Sequence, residues 1–274
     1  MKKYNQSPLP FQGQKRRFLK KFIEALNDYP EDAVFVDLFG GSGLLSHTVK
    51  QLYPSARVVW NDFDDFQTRL NRIPETNALL SKLRPLLENE PRDKKVRESI
   101  RQQMLDIIAS EPWVDYVTLS ANILFSGKYM MNFEQLECQT FYNVMRKADY
   151  SADGYLSRVE RIQGDYRNVF KEFKDVKDVV FLVDPPYLST DTKTYNSDSY
   201  WKLRDYLDVL DVLDGSNYFY FTSNKSQIVE LCEWIETRTY AGNPFSGAVM
   251  TTTAGSVNYN SSYTDVMLYK KATN

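Results

Sequence analysis

The residues best equipped for chemistry are Asp184-Pro185-Pro186-Tyr187, which follow directly on the apolar run Val179-Val180-Phe181-Leu182-Val183. Consecutive prolines cannot donate to a sheet ladder, so at the mouth of a buried strand they must shape a loop. That loop would bring together a carboxylate, a main-chain carbonyl held rigid by the proline rings, and an aromatic face. Two acceptors side by side suit an amine with two hydrogens to be directed. On its own, the tetrapeptide points to chemistry at a planar nitrogen whose lone pair must be localised before it can attack.

A second constellation lies upstream. Ala33-Val34-Phe35-Val36-Asp37-Leu38 is a short apolar run closing on an acid, and Phe39-Gly40-Gly41-Ser42-Gly43 then turns the chain into a helix from Leu44 to Leu52. Small residues at such a corner either let backbone approach a ligand or simply allow tight packing. The next run, Arg57-Val58-Val59-Trp60-Asn61, ends at Asp62, about 20 residues beyond the turn, as in a nucleotide-type βαβ unit. A carboxylate there can accept both hydroxyls of a ribose, or it is an ordinary strand-end acid.

The elements that must position these groups follow from periodicity. Phe18, Leu19, Phe22, Ile23 and Leu26 recur at helical spacing between residues 16 and 27. Strands are expected at 33–38, 57–62, 179–183 and 218–222, with a last antiparallel pair at 248–253 and 263–269. From Phe66 to about Tyr150 the chain is long, charged and helix-prone. The expected architecture is therefore α/β, a doubly wound and mostly parallel sheet formed by residues 1–66 and 159–274, with a mostly helical insert at 67–158.

Composition limits the alternatives. In 274 residues, 42% are hydrophobic and 26% charged, with no stretch approaching the roughly 20 apolar residues of a membrane span. The N-terminus lacks the apolar run of a signal peptide, so a soluble chain in the cytoplasm is expected, with no membrane partner. Cys138, Cys232 and His47 are the only soft ligands, too few for a zinc site, so no metal is expected. His47 reads as structural. The net charge of −2 does not advertise a polyanion partner, yet Lys2, Lys3, Lys15, Arg16, Arg17, Lys20 and Lys21 occur within residues 1–21 with no acid among them. A second basic cluster, residues 82–101, is diluted by Glu88, Glu90, Asp93 and Glu98 and reads as a solvated helix face.

Taken in order, these segments resemble the D12-class adenine-specific DNA methyltransferases, the family of bacterial and phage Dam enzymes. Pro10-Phe11-Gln12-Gly13-Gln14-Lys15 is similar to the family's N-terminal cofactor segment, with Gln14 where glycine is common. Asp37-Leu38-Phe39-Gly40-Gly41-Ser42-Gly43 resembles the turn under the methionine part of the cofactor. Asn61-Asp62-Phe63-Asp64 resembles the segment whose acid holds the ribose, and Gly164-Asp165-Tyr166 the short segment near the cofactor adenine. Phe221-Thr222-Ser223-Asn224 completes the order after the Asp184 tetrapeptide.

The resemblance implies S-adenosylmethionine as cofactor, double-stranded DNA as partner, and a fold of the S-adenosylmethionine-dependent methyltransferase type whose insert recognises the target. The catalytic residues would be Asp184, Pro185, Pro186 and Tyr187. The cofactor residues would be Phe11, Gly13, Lys15, Asp37, Phe39, Gly40, Gly41, Ser42, Gly43, Asp62, Asp165 and Asp184. The implied reaction is site-specific transfer of a methyl group to the N6 amine of a flipped-out adenine, as in restriction-modification, by a protein expected to be a monomer. Methylation of cytosine N4, an RNA base or a protein glutamine stands as an alternative, as does a non-catalytic DNA-binding relic of the fold.

Overall fold

A computed structural model describes residues 2–125, 127–186, 201–224, 226–238, 242–258 and 261–272. The chain divides into two compact units, one built from Met1–Gln6, Gln14–Asp64 and Gly154–Asn274, the other from Ser7–Gly13 and Asp65–Asp153.

The first unit is organised by a seven-stranded mixed sheet of order β3-β2-β1-β4-β5-β7-β6. Its strands are β1 (Val34–Asp37), β2 (Arg57–Asn61), β3 (Glu160–Ile162), β4 (Val179–Val183), β5 (Asn217–Ser223), β6 (Val249–Asn258) and β7 (Ser261–Lys270). The first five run parallel, and the final hairpin adds β7 antiparallel to β5 and β6 outside it. All the strands expected from sequence are present. The addition is β3, a three-residue strand with an exposed to half-buried pattern that offers no apolar alternation to recognise.

Strand alternation distributes the apolar side chains to two cores, one on each face of the sheet. Phe35, Val58, Val180, Leu182, Phe219 and Phe221 face helices Leu19–Leu26 and Leu44–Leu52. Val36, Val59, Phe181, Val183, Tyr218 and Tyr220 face helices Tyr166–Phe173, Leu203–Leu213 and Ile228–Thr237. Each fully buried Phe or Leu is worth roughly 1.5–3 kcal/mol relative to exposure, so the helices are held by these faces more than by their own propensity. The first helix illustrates it: Phe18 and Phe22 pack edge-on against Phe221 and Phe219, with ring centroids 5.8 and 4.9 Å apart.

The glycine turn enters its helix through Gly43, whose φ of 73° is left-handed. A β-carbon at Gly43 would come within 2.7 Å of Leu156, and one at Gly40 within 2.1 Å of the Trp60 side chain. Both glycines are therefore required by packing inside the protein. Next to them, His47 is buried, its Nδ1 accepting the Leu156 amide at 3.3 Å between Tyr155 and Tyr4. Burial pushes its pKa down to about 4, as suits a structural, neutral imidazole.

The second unit is helical, with Phe66–Asn71, Ile73–Leu83, Glu98–Ser110, Tyr116–Ile123 and Phe133–Glu137 and a short 3-10 turn at Arg84–Leu87. Asp115 caps the fourth of these helices through the Thr118 amide and binds Arg69, which in turn reaches the Pro10 carbonyl at 2.9 Å and ties Ser7–Gly13 to this unit. Among the described residues, no helix of either unit is long and apolar enough to cross a membrane.

Gly43→Ala is expected to destabilise the fold by about 2–4 kcal/mol, combining a left-handed non-glycine residue with overpacking against Leu156. Denaturant unfolding measures this; a loss below about 1 kcal/mol would show that the corner relaxes freely.

Candidate active site

In an open α/β sheet, ligands bind beyond the carboxyl ends of the strands, where the strand order reverses. Here that point lies between β1 and β4, because β2 extends the sheet to one side of β1 and β5 extends it to the other side of β4. The register places Asp37 opposite Leu182, so Asp37 and Asp184 emerge from the same end of adjacent strands. The Leu38 amide continues the ladder to the Leu182 carbonyl at 3.0 Å, fixing both ends together.

Lys15 completes the pair. The packing of Phe18 and Phe22 on β5 brings the preceding turn over Phe221, with the Lys15 ammonium 6.0 Å from that ring. Its Nζ lies 2.6 Å from Asp184 Oδ2, and the two side chains are only 8% and 17% exposed. Burial pushes the Asp184 pKa up to about 6, while the charge and hydrogen bond of Lys15 hold it from rising further. Asp184 is thus a carboxylate at neutral pH because Lys15 faces it.

Asp37 shares this environment. Ser46, on the first turn of the helix after Gly43, donates to Asp37 Oδ2 at 2.7 Å. The other oxygen, Oδ1, is buried and has no hydrogen-bond partner within bonding geometry among the described residues, although the Phe39 amide interacts with the carboxylate and opposes its protonation. Burial raises the Asp37 pKa to about 7, with Ser46 opposing and the neighbouring Asp184 adding to the rise. A third carboxylate, Asp265 on β7 opposite Ser223, has its pKa raised by burial, with Lys15 and Arg17 opposing. One buried ammonium therefore serves several acids. Neither Ser46 nor Asp265 stood out in the sequence; an acid within the last apolar strand was the available signal for Asp265.

The neighbouring strand ends are stitched by Asn61. Its amide nitrogen donates to the carbonyls of Leu38 and Gly164, each at 2.9 Å, and its oxygen accepts the Gly164 amide at 3.0 Å. Asp62 follows, fully buried, with Oδ2 held by the Arg161 guanidinium at 2.8 Å. Asp165 is exposed and caps helix Tyr166–Phe173 by accepting the Arg167 amide at 2.8 Å. Phe39 is half-buried, its ring 4.8 Å from Tyr166 and 5.9 Å from Trp201. Among the described residues the buried Tyr166 hydroxyl has no hydrogen-bond partner. Tyr166 and Trp201 were not singled out in the sequence, because an isolated aromatic carries no spacing signal.

The structure thus gathers Lys15, Asp37, Phe39, Gly40, Gly41, Ser42, Gly43, Asp62, Asp165, Asp184, Pro185 and Pro186 in one unit, most of them at the carboxyl ends of its strands. Phe11 and Gly13 belong to the other unit, where Phe11 packs edge-on against Phe66 at 5.5 Å. Tyr187 lies outside the described residues. Among the described residues, no group of three or more His, Cys, Asp and Glu side chains is arranged to hold a metal.

The buried acids also make a stability statement. Asp37 binds its proton more tightly when folded, about 7 against 3.8 unfolded, so its contribution is most favourable below pH 4 and is lost as pH rises through 7. Asp37→Asn removes this dependence. The variant is expected to gain about 2–3 kcal/mol on the wild type between pH 5 and pH 8. Parallel stability curves for the two proteins over that range would contradict the assignment.

Comparison with known proteins agrees with this geometry. Residues 11–235 match the family model of the D12 class N6 adenine-specific DNA methyltransferases. A Haemophilus influenzae protein named "Putative methyltransferase" is 34% identical over 277 aligned positions, covering 98% of this chain and 93% of the relative. The chain belongs to the D12 class N6 adenine-specific DNA methyltransferases.

Proposed function

We propose that this protein transfers a methyl group from S-adenosylmethionine to the N6 amine of an adenine flipped out of duplex DNA, with Asp184 as the directing carboxylate. The observation that carries the reading is the buried Lys15–Asp184 pair at the carboxyl end of β4, 2.6 Å between charged atoms. It holds a poorly solvated acceptor in its ionised form at the point where the sheet topology opens a ligand site.

The residues present fit the cofactor. Among the described residues Asp37 Oδ1 is a buried acceptor without a hydrogen-bond partner, of the kind an ammonium group satisfies. Asp62, clamped by Arg161, is the acid proposed for the ribose, and Phe39 with Tyr166 offers aromatic surface beside the glycine turn. Lys15, Gly40, Gly41, Ser42, Gly43 and Asp165 complete the proposed cofactor set within this unit, and Phe11 and Gly13 are assigned to it from the family resemblance. When bound, S-adenosylmethionine supplies an electrophilic methyl group on a sulfonium.

The work of the protein is at the amine. The adenine N6 lone pair is delocalised into the ring and attacks poorly. Asp184 accepts one N6–H and the Pro185 carbonyl the other, which draws the nitrogen toward tetrahedral geometry and frees its lone pair along the direction of attack. Both acceptors must lack a competing proton, which for Asp184 requires the ionised form. After transfer the methylated amine is strongly acidic, and Asp184, with a pKa near 6, takes the proton directly or through water. Pro185 and Pro186 keep the carbonyl from turning away. Tyr187 is assigned to stacking on the extrahelical base, which is worth about 1–3 kcal/mol against the cost of unstacking. The helical unit is assigned to target recognition.

Modified-base sequencing of plasmid from cells expressing the wild type is expected to show N6-methyladenine at one recurring motif, and none with Asp184→Ala. Calorimetric titration is expected to show that Asp184→Ala binds S-adenosylmethionine measurably but more weakly, since Asp184 also belongs to the proposed cofactor set. Methyl groups on cytosine, or a modification pattern that survives Asp184→Ala, would overturn the assignment.

A further inference from the structure

The first acid in the chain is Glu24, and seven cations precede it. Lys3 is exposed near the N-terminus, and the structure divides the other six by role. Lys15 is buried on Asp184, Lys21 donates to the Thr252 carbonyl, and Lys2 lies over the Tyr4 ring. Arg16, Arg17 and Lys20 are left exposed within a single stretch at the start of helix Leu19–Leu26. Arg16 contacts a neutral group, Gln6 Oε1, at 3.3 Å. Among the described residues none of the three forms an ion pair, in contrast to Arg57, Arg161 and Arg167 of the same unit, each of which faces a carboxylate.

Three neighbouring cations without an ion pair, of which Arg17 feels Asp265 only through space, repel one another and contribute nothing to the core. They are also the residues next to the reaction centre: Arg16 and Arg17 follow Lys15 directly, at 3.8 Å per Cα step, and Lys15 touches Asp184. A nucleotide whose base reaches Asp184 carries its own phosphates to the mouth of the site. Resting on the function proposed above, we infer that Arg16, Arg17 and Lys20 form a phosphate clamp that neutralises the DNA backbone flanking the target nucleotide. The clamp reads no sequence; it sets register and supplies the salt-dependent part of affinity. It also shows how a chain of net charge −2 engages a polyanion: the positive field is local to the site.

The test is fluorescence anisotropy of a labelled duplex with the full-length protein over a series of KCl concentrations. It compares wild type, the triple variant Arg16→Gln, Arg17→Gln, Lys20→Gln, and a control triple Lys171→Gln, Lys174→Gln, Lys177→Gln. The control lysines are exposed and precede the start of β4, the opposite end of that strand from Asp184, so the control matches net charge but not place. With about 0.9 units of log–log salt slope per phosphate contact, the clamp variant is expected to lose roughly 2–3 units of slope on every duplex sequence while the control keeps the wild-type slope. Equal slopes for wild type and clamp variant would overturn the clamp while leaving the methyltransferase reading intact, provided wild type methylates the duplex. A wild type that neither binds duplex in a salt-dependent way nor methylates adenine would overturn both. Tighter binding of single-stranded RNA than of duplex, with the same loss of slope, would overturn the assignment of the partner.

Discussion

The buried pairing of Lys15 with Asp184 is the constraint around which the site is built. Neither group can be left alone in that position: an isolated buried charge is expensive, and removing one member of a buried pair typically costs about 3–5 kcal/mol. The pair resolves the conflict between two requirements. In the proposed reaction Asp184 has to be withdrawn from water to act strongly on a neutral amine, yet burial alone favours the protonated acid, which is no longer acceptor-only. Lys15 keeps the charge on the carboxylate without returning it to solvent.

Everything else follows from placing those two side chains. Asp184 is delivered by β4, all five residues of which are buried, so its position is as rigid as the core. Lys15 is delivered by the turn before the first helix, which is fixed by Phe18 and Phe22 against Phe221 and Phe219. The parallel pairing of β1 with β4 then brings Asp37 to the same edge, and Ser46 and Asn61 hold the flanking corners. The cost is visible: Asp37 and Asp184 both bind protons more tightly folded than unfolded, so ionising them at neutral pH costs stability. This is the exchange of stability for function expected of a preorganised site.

Much of this was legible in the sequence because the signals were local. Val179–Val183 reads as a buried strand, the double proline as its end, and Gly40 to Gly43 as a corner. What was not legible depends on partners distant in the chain. That Arg161 clamps Asp62, that Asp265 joins Asp184 around Lys15, and that Asn61 binds Gly164 all follow from strand order, which no local pattern encodes. β3 is too short and too exposed to announce itself. Ser7–Gly13 fall with the helical unit through Arg69 on the Pro10 carbonyl, a backbone contact without a side-chain signature. The glycines carried a mixed message: their role in packing against Trp60 and Leu156 is plain in the structure, and it coexists with the one proposed toward a cofactor.

The central claim is that Lys15 acts by keeping Asp184 ionised. Its most direct test is the pH dependence of kcat/KM for methyl transfer, which reports ionisations of the free protein, in the wild type and in Lys15→Met. For wild type the rate should rise with pH through a midpoint near 6, where Asp184 loses its proton. In Lys15→Met the opposing charge is gone and desolvation acts alone, so the midpoint should move to higher pH and the rate should recover in alkaline solution. A variant whose profile keeps the wild-type midpoint, merely scaled down at every pH, would contradict the account.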